Sequence, residues 1–313
     1  MKPNPTPITP NPLLSTIQEA QRAMPYVARH IPGIDEPQYL PKKAAALRTL
    51  MLSSTLVRVD RAGKLIVGNT GNSAGETITI EKAIFLGSRF AQAGGTLVFL
   101  PEHAQPLETG LTGMVAMRNE PVSFSVVNPA DFELVADDDD ATDSTLPVFV
   151  CTIDRTGQKS YGVRFKQTRA DQKARGEETT ADEMLASIVA GLSKVVDRLA
   201  MSAVLATTPA NFSLAAAATA GVRFGELRAL VGTDAAAADI RTDGRLTAAG
   251  IEAELTDTMT KTVIGDFSKA AAVIGPDLQI LISRLNKNGD VSVTAWLSAD
   301  AVCPASGRFW LGA

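Results

Sequence analysis

One segment resembles a phosphate-binding loop in the spacing of its glycines, namely Gly68-Asn-Thr-Gly-Asn-Ser-Ala-Gly75. A P-loop ends in Gly-Lys-Ser/Thr and leads into a helix, because the lysine and the helix N-terminus together hold the phosphates. Here Gly75 is followed by Glu76 and Thr77 and then by a β-branched run, and the dinucleotide-binding fingerprint is absent as well. We therefore expect a hairpin turn at this loop and no nucleotide cofactor.

A dense group of carboxylates in the middle of the chain offers the oxygen ligands that hard cations prefer. It comprises Asp137, Asp138, Asp139 and Asp140, with Asp131, Glu133 and Asp143 close by. A calcium loop needs ligands at alternating positions and a central glycine, and four consecutive aspartates cannot all point at one ion. The run therefore predicts a solvated, self-repelling loop tip and no metal site.

Few residues remain for nucleophilic or metal chemistry. The two histidines, His30 and His103, lie in apparent loops, and no Gly-x-Ser-x-Gly motif or cysteine–histidine pairing accompanies them. The two cysteines, Cys151 and Cys303, are too few for a disulfide framework and indicate a reducing compartment. We expect neither catalytic residues nor a cofactor, although an α+β enzyme with an unrecognised site at Gly68–Gly75 or the aspartates stays an alternative.

Composition narrows the class of protein further. The 313 residues are 45% hydrophobic and 20% charged, which is ordinary for one large globular domain or two smaller ones. The net charge of −4 argues against an autonomous nucleic-acid binder, and the aromatic content of 5% argues against base-stacking surfaces. No run approaches about 18 uninterrupted apolar residues, and the N-terminus lacks a signal-peptide core, so we expect a soluble intracellular protein.

The elements that must position these residues begin with a stretch at 1–45 that holds nine prolines. Proline disfavours continuous helix and central strand, and Leu13–Met24 is the one helical island. Two interpretations stay open, a disordered tail or an arm that becomes ordered only by lying on a neighbouring subunit.

Residues 50–165 are predicted to be rich in β-structure. Short β-branched runs are separated by glycine, asparagine and proline, as hairpins require, and one helix over Glu81–Gln92 interrupts them. The runs begin at Leu56, Lys64, Glu76, Thr96, Val122 and Pro147.

The longest predicted element is a helix from Gly176 to about Ala206. Apolar residues recur along it every three or four positions, which indicates one buried stripe. Thr180 and Glu183 have the spacing of a capping box, and four acidic residues near the start suit the positive end of the helix dipole.

The last third of the chain is predicted from local patterns of apolar residues, glycine and proline. The expected elements are weakly structured alanine-rich segments at 215–218 and 235–238, a helix over Thr247–Ile264, a buried strand over Ala270–Ile274, a helix from Pro276 to about Leu285, a turn at Asn286–Gly289 and short strands over Trp296–Ala313.

Charge is distributed unevenly along the chain. Lysine and arginine are absent from 119–154, whereas six basic residues follow between 159 and 175. If 122–166 forms a long hairpin, its tip is acidic and its base is basic. Two interpretations of this charge distribution stay open, an ordinary solvated hairpin or complementary contacts between copies of the chain. In the second interpretation, the acidic tip of one copy contacts basic residues of another, and the residues involved are Asp137, Asp138, Asp139 and Asp140 with Arg164, Lys166 and Arg169.

The order of elements in the second half resembles that of tailed-phage major capsid proteins of the Hong Kong 97 fold. The resemblance covers about 160–300 and rests on a hairpin followed by Tyr161-Gly-Val-Arg-Phe-Lys-Gln-Thr-Arg169, the helix through Val195-Val-Asp-Arg-Leu-Ala200, Ala270-Ala-Ala-Val-Ile-Gly-Pro276 and Asn286-Lys-Asn-Gly-Asp290. In that family the buried strand ends in an asparagine–proline step, where this chain has Gly275-Pro276.

This resemblance implies an α+β fold with five parts. They are an N-terminal arm (1–45), a β-rich region that belongs to the peripheral domain or is an insertion (46–121), an extended hairpin loop (122–166), a peripheral domain with the long helix as its spine (167–209) and a mixed α/β axial domain (210–313).

It also implies a major capsid protein without enzymatic activity, made in the host cytoplasm and located in the virion. Such a protein self-assembles through hexamers and pentamers into an icosahedral shell that encloses double-stranded DNA without reading its sequence. Scaffold, portal and decoration proteins are further expected partners. Association with a membrane is not expected. An alternative with the same fold is an encapsulin-like compartment shell, which encloses an enzyme in place of a genome.

Overall fold

A computed structural model describes residues 11–22, 26–29, 38–41, 45–60, 65–67, 75–101, 105–108, 115–118, 122–130, 132–135, 140, 142–153, 158–286 and 288–312. The helices are α1 (Pro12–Arg22), α2 (Ile80–Gly87), α3 (Arg89–Gln92), α4 (Arg169–Arg175), α5 (Glu177–Ala206) and α6 (Leu214–Thr219). The predicted α+β class is confirmed by these helices and the strands that accompany them.

The strands up to the long helix are β1 (Tyr26–Arg29), β2 (Gln38–Pro41), β3 (Ala45–Met51), β4 (Leu56–Val59), β5 (Glu76–Thr79), β6 (Thr96–Phe99), β7 (Gln105–Glu108), β8 (Val115–Arg118), β9 (Val122–Val127), β10 (Val148–Ile153) and β11 (Lys159–Gln167). Those after it are β12 (Arg228–Val231), β13 (Ala238–Ile240), β14 (Leu246–Ala248), β15 (Ile251–Leu255), β16 (Val263–Gly265), β17 (Ala271–Ile274), β18 (Asp277–Arg284), β19 (Val291–Val302) and β20 (Phe309–Leu311).

The chain divides into two compact units, and each is built from three separate segments. The first unit comprises Met1–Ser88, Ser160–Val195 and Gly275–Ser298. The second comprises Arg89–Lys159, Val196–Ile274 and Ala299–Ala313. None of the helices in the described ranges combines the length and the apolar character needed to cross a membrane.

A sheet of antiparallel strands forms the centre of the first unit. Strand β18 pairs with β3, where Leu278 lies opposite Leu50, and with β19, where Ile280 lies opposite Ala295. β11 pairs with β19 as well. Along β18 the buried residues alternate with half-buried ones, which is the period of two that a strand imposes.

The helix predicted from Pro276 to Leu285 is wrong, because this segment is strand β18. Its apolar residues Leu278, Ile280 and Ile282 satisfy the period of a strand, and pairing on both sides satisfies its backbone groups. The predicted turn at Asn286–Gly289 is confirmed. Gly289 has a φ of +92°, and the Leu285 N–H donates to the carbonyl of Asp290 at 2.7 Å.

Helix α1 packs within the first unit against β3 and β18. Leu13, Ile17 and Ala20 are at most 2% exposed, which confirms the predicted helical island. The Asn11 amide donates to Asp182 Oδ1 at 2.6 Å and fixes the start of the helix. Neither a disordered tail nor an arm ordered only by a neighbour describes α1, because its apolar face is buried in its own chain.

The long helix is confirmed as α5, whose 30 residues extend about 45 Å. The predicted capping box is wrong, because the helix begins three residues before Thr180. Gly176, with a φ of +87°, precedes it, and the Thr180 hydroxyl donates back to the Gly176 carbonyl at 2.7 Å. Glu183 binds Arg175 instead, with 2.8 Å between Oε2 and Nη1.

The helix predicted over Glu81–Gln92 is interrupted at Ser88, so that α2 and α3 are separate. Thr79 caps α2 by accepting from the Lys82 N–H. The start of α3 is capped from the long helix by Asp197, which is only 3% exposed. Its two carboxylate oxygens accept from the N–H groups of Arg89 and Phe90, each at 3.0 Å.

The second unit contains a mixed sheet in the order β13-β14-β15-β12-β16-β20. Leu227, Val231, Ile251, Ile264 and Trp310 lie in the buried cluster that packs against it. Elsewhere in this unit β17 pairs parallel with β6 and antiparallel with the end of β19. The predicted buried strand is confirmed as β17, all of whose residues are buried.

The helix predicted over Thr247–Ile264 is wrong, because the segment forms the end of β14, all of β15 and the start of β16. Ala249 and Gly250 have φ of +49° and +81°, a left-handed pair that makes the tight turn between antiparallel strands. The apolar spacing of four that suggested a helix is also a multiple of two, so it fits strands equally well.

Three smaller predictions in the second half need adjustment. The alanine-rich segment 215–218 is part of α6, which Ser213 caps by accepting from the Ala216 N–H at 3.1 Å. In the segment 235–238, Ala235 and Ala237 adopt left-handed turns with φ of +50° and +57°. The C-terminal strands are present, but β19 is longer than predicted, with 12 residues.

Candidate functional site

A hairpin formed by β9 and β10 carries the segment with the uneven charge. The strands pair antiparallel, with Val122 opposite Ile153 at the base. Ile153 lies in a buried cluster with Leu100 and Val273, and Val122 packs against that cluster. The base of the hairpin is therefore fixed to the core of the second unit. Lys159–Gln167 is not part of the hairpin, since it forms β11 and pairs with β19.

The two faces of the hairpin differ, because residues directly opposite each other share a face. One face is apolar along its whole length and consists of Val122, Phe124, Val126, Phe149, Cys151 and Ile153. The other face has Ser123 and Thr152 near the base but Val127 and Val150 towards the far end, where both valines are 62% exposed. The far end is thus apolar on both faces.

Beyond the paired strands, the hairpin exposes large apolar side chains almost completely. Phe132 is 98% exposed, Leu134 is 102% exposed and Leu146 is 80% exposed. The described residues between 128 and 147 belong to no helix or strand. Large apolar side chains that are exposed to this extent gain nothing from folding of the subunit, and they are available for contact with another protein. Charge is the more conspicuous feature of this segment in the sequence, but the apolar residues within the acidic stretch are the signal of this exposed surface.

Only part of the acidic tip lies within the described residues. Asp140 is exposed, as a solvated loop tip requires. Asp137, Asp138 and Asp139 lie outside the described residues. Near the tip, Glu133 and Asp143 are also exposed.

Of the three basic residues predicted to face this tip in another copy, two have partners within their own chain. The Arg164 Nε donates to the Ser292 hydroxyl at 2.7 Å. The Arg169 guanidinium lies 3.5 Å from Glu177 Oε1 and donates to the Gln21 side chain at 3.3 Å. Lys166 is exposed. The pairing between copies stays a prediction.

The backbone of Arg169 takes part in a further contact with Asp290. Its N–H donates to Asp290 Oδ1 at 2.9 Å, and this bond lowers the pKa of the Asp290 carboxyl. The Asn286 amide, which donates at 2.7 Å, and the positive charge of Lys166 lower the pKa further. Asp290 therefore stays ionised and holds the start of α4 against the turn between β18 and β19.

The glycine-rich loop lies between strands that pair antiparallel, with Val59 opposite Glu76. Residues 68–74, on which the predicted turn falls, lie outside the described part of the chain, so the turn stays a prediction. His30 and His103 lie outside it as well.

Two observations on the described part of the chain concern metal binding and the reactivity of a thiol. It contains no group of three histidine, cysteine, aspartate or glutamate residues arranged to hold a metal ion. Burial raises the pKa of the Cys303 thiol to about 11. Since the thiolate is the reactive form, this cysteine is a weak nucleophile near neutral pH.

Comparison with known proteins finds similarity in fold but not in sequence. No family model and no curated protein matches the chain. Similar solved structures include the capsid of an empty GTA particle (11% identity, TM-score 0.46, 72% of this chain and 89% of the other). They also include the capsid of cyanophage P-SCSP1u (8%, 0.44, 69% and 85%) and a virus-like particle from Pyrococcus furiosus (11%, 0.42, 74% and 95%). Capsids are thus among the solved structures with which this chain shares this degree of similarity.

Proposed function

We propose that this chain is the major capsid protein of a tailed phage, a non-enzymatic subunit that self-assembles into an icosahedral shell around double-stranded DNA. The observation that carries the proposal is the hairpin at 122–153, whose base is buried in the second unit and whose far end exposes Phe132, Leu134 and Leu146. In a closed assembly of identical subunits, the next copy supplies the surface that covers such residues.

Two further features support a shell subunit. Each unit has its own buried residues within a single chain, and the end of the hairpin is exposed and available for contact with another copy. The net charge of −4 suits a container for DNA, because a surface rich in basic residues binds phosphate strongly and would hold the cargo to the wall.

Within this proposal the parts of the chain keep the roles that the resemblance implies. Residues 122–166 include the extended loop, 167–209 belong to the peripheral domain with α5 as its spine, and 210–313 form the axial domain. Residues 1–45 are the arm and 46–121 a β-rich part of the peripheral domain. Hexamers and pentamers of the chain build the shell in the virion, with scaffold, portal and decoration proteins as further partners.

Sedimentation velocity and negative-stain microscopy of the purified protein test this proposal. The expected result is closed particles of uniform size above a threshold concentration. A monomer or small oligomer at every concentration contradicts it and is the result that an enzyme of the same fold class predicts. An encapsulin-like shell would also form particles, so the contents of particles isolated from cells separate the two: double-stranded DNA for a capsid, an enzyme for a compartment.

A further inference from the structure

A cavity of about 180 Å³ in the second unit is lined by three arginines. The buried side chains of Leu227 and Ile251 line it together with Phe224. Its polar lining includes Arg228, Arg241, Arg245, Thr247 and Glu252.

The sheet brings these arginines together from two places in the chain, the turn between β13 and β14 and the start of β12. Arg241 and Arg245 flank the turn between β13 and β14, and the Arg241 N–H donates to the Arg245 carbonyl at 2.9 Å. This bond continues the ladder of the two strands, so their side chains lie opposite each other on one face. Arg228 comes from β12, next to β15 and Glu252.

The positive charge of this lining is only partly balanced. Arg228 Nε lies 4.0 Å from Glu252 Oε2, and its Nη1 donates to the Leu227 carbonyl at 2.8 Å, which holds it in place. Arg245 lies 3.9 Å from Asp243. Within the described part of the chain, no carboxylate lies at ion-pair distance from Arg241. Arg241 and Arg245 lie opposite each other without a shared counter-ion among the described residues. Because like charges directly opposite each other repel, this pair destabilises the ladder between the two strands.

We propose that this cavity binds a phosphate group of a small ligand. Each guanidinium offers a fork of N–H donors, and a phosphate has enough oxygens and charge to accept from three such forks, whereas a carboxylate has two oxygens. Leu227 and Ile251 form an apolar floor beside the arginines, whose side chains are accessible to a ligand from solvent, with Arg228 41% and Arg245 71% exposed. The bound anion also removes the repulsion between Arg241 and Arg245. The site is independent of shell formation.

Isothermal titration of the unassembled subunit with inorganic phosphate and with pyrophosphate tests the site, at constant ionic strength in chloride. The expected result is saturable binding of one anion per chain, at least about tenfold weaker in Arg241→Gln, which corresponds to about 1.4 kcal/mol. Arg198→Gln is the matched control, since it removes the same charge from an exposed position on α5. It should bind like the unaltered protein.

Melting temperatures show whether the variant is folded and test the repulsion separately. Without phosphate, Arg241→Gln should melt at the same temperature or higher, because one of two opposed charges is gone. With phosphate, only the unaltered protein and Arg198→Gln should gain stability. Absence of saturable binding, equal weakening in both variants, or acetate binding as tightly as phosphate would each overturn the proposal. A lower melting temperature of Arg241→Gln in chloride would overturn the argument from repulsion.

Discussion

Replacing Phe132 and Leu134 together by serine separates assembly from folding. Both side chains are almost fully exposed in the free subunit, at 98% and 102%. The double variant therefore removes no buried contact, and its thermal unfolding as a subunit should match that of the unaltered protein.

The expected effect on assembly follows from the apolar surface that a neighbouring copy would cover in the proposed shell. Covering a phenylalanine or leucine completely contributes about 1.5–3 kcal/mol, so the two residues together contribute about 3–6 kcal/mol per contact. Each 1.4 kcal/mol is a factor of ten in an equilibrium constant, so the double variant should weaken each contact about 10²–10⁴-fold. The threshold concentration for particles rises in step.

Light scattering over a dilution series measures this threshold, and Leu214→Ser provides the matched control. Leu214 is 62% exposed in the same unit but lies outside the hairpin. The reasoning fails if the double variant assembles at the unaltered threshold, or if Leu214→Ser raises the threshold as much. In the first case nothing covers the tip, and in the second the effect is one of general surface hydrophobicity.

The remaining predictions concern charge, stability and reactivity. Changing Asp137–Asp140 to asparagine should raise the assembly threshold and make it less sensitive to salt, since exposed ion pairs contribute about 0–1 kcal/mol each and are screened over about 8–10 Å; an unchanged salt response would exclude the pairing. Leu13→Ala should lower the free energy of unfolding in urea by about 2–5 kcal/mol, because Leu13 is fully buried; a loss below 1 kcal/mol would show that α1 is not docked in solution. Asp197→Ala should lower it by about 1–3 kcal/mol for each N–H left without a partner, and Asp197→Asn by less; equal losses would argue against the cap. Cys303 should react slowly with iodoacetamide at pH 8, and the rate should rise about tenfold per pH unit until pH approaches 11; fast alkylation at pH 8, followed by mass spectrometry, would contradict its burial.

The sequence predicted those elements whose stability is local. Helix α5 was recognised because apolar residues repeat at helical spacing over 30 residues, a length at which no strand pattern competes. Strand β17 was recognised from its β-branched and small apolar residues between turn signals. The paired strands of the hairpin followed from the same kind of pattern.

The errors lie where distant segments decide the structure. Asp277–Arg284 is a strand that pairs on one side with β19, which follows it across the turn at Asn286–Gly289, and on the other side with β3, which is remote in sequence and not visible from the segment itself. The segment Thr247–Ile264 was assigned to a helix because a spacing of four residues fits both periods. Asp197 interrupts the apolar stripe of α5, and only the fold shows that it caps α3.

The hairpin at 122–153 contains both residues that stabilise the fold of the subunit and residues that do not contribute to it. At its base, Ile153 is 5% exposed, and its environment is fixed by the core of the second unit. At its tip, Phe132 and Leu134 contact so little of their own chain that folding gains nothing from them. Selection for stability alone would replace them by polar residues, because these would be equally stable and more soluble. In the proposed shell, a contact with the neighbouring copy would account for their presence. The same reasoning separates variants that unfold the subunit from variants that leave it folded but unassembled.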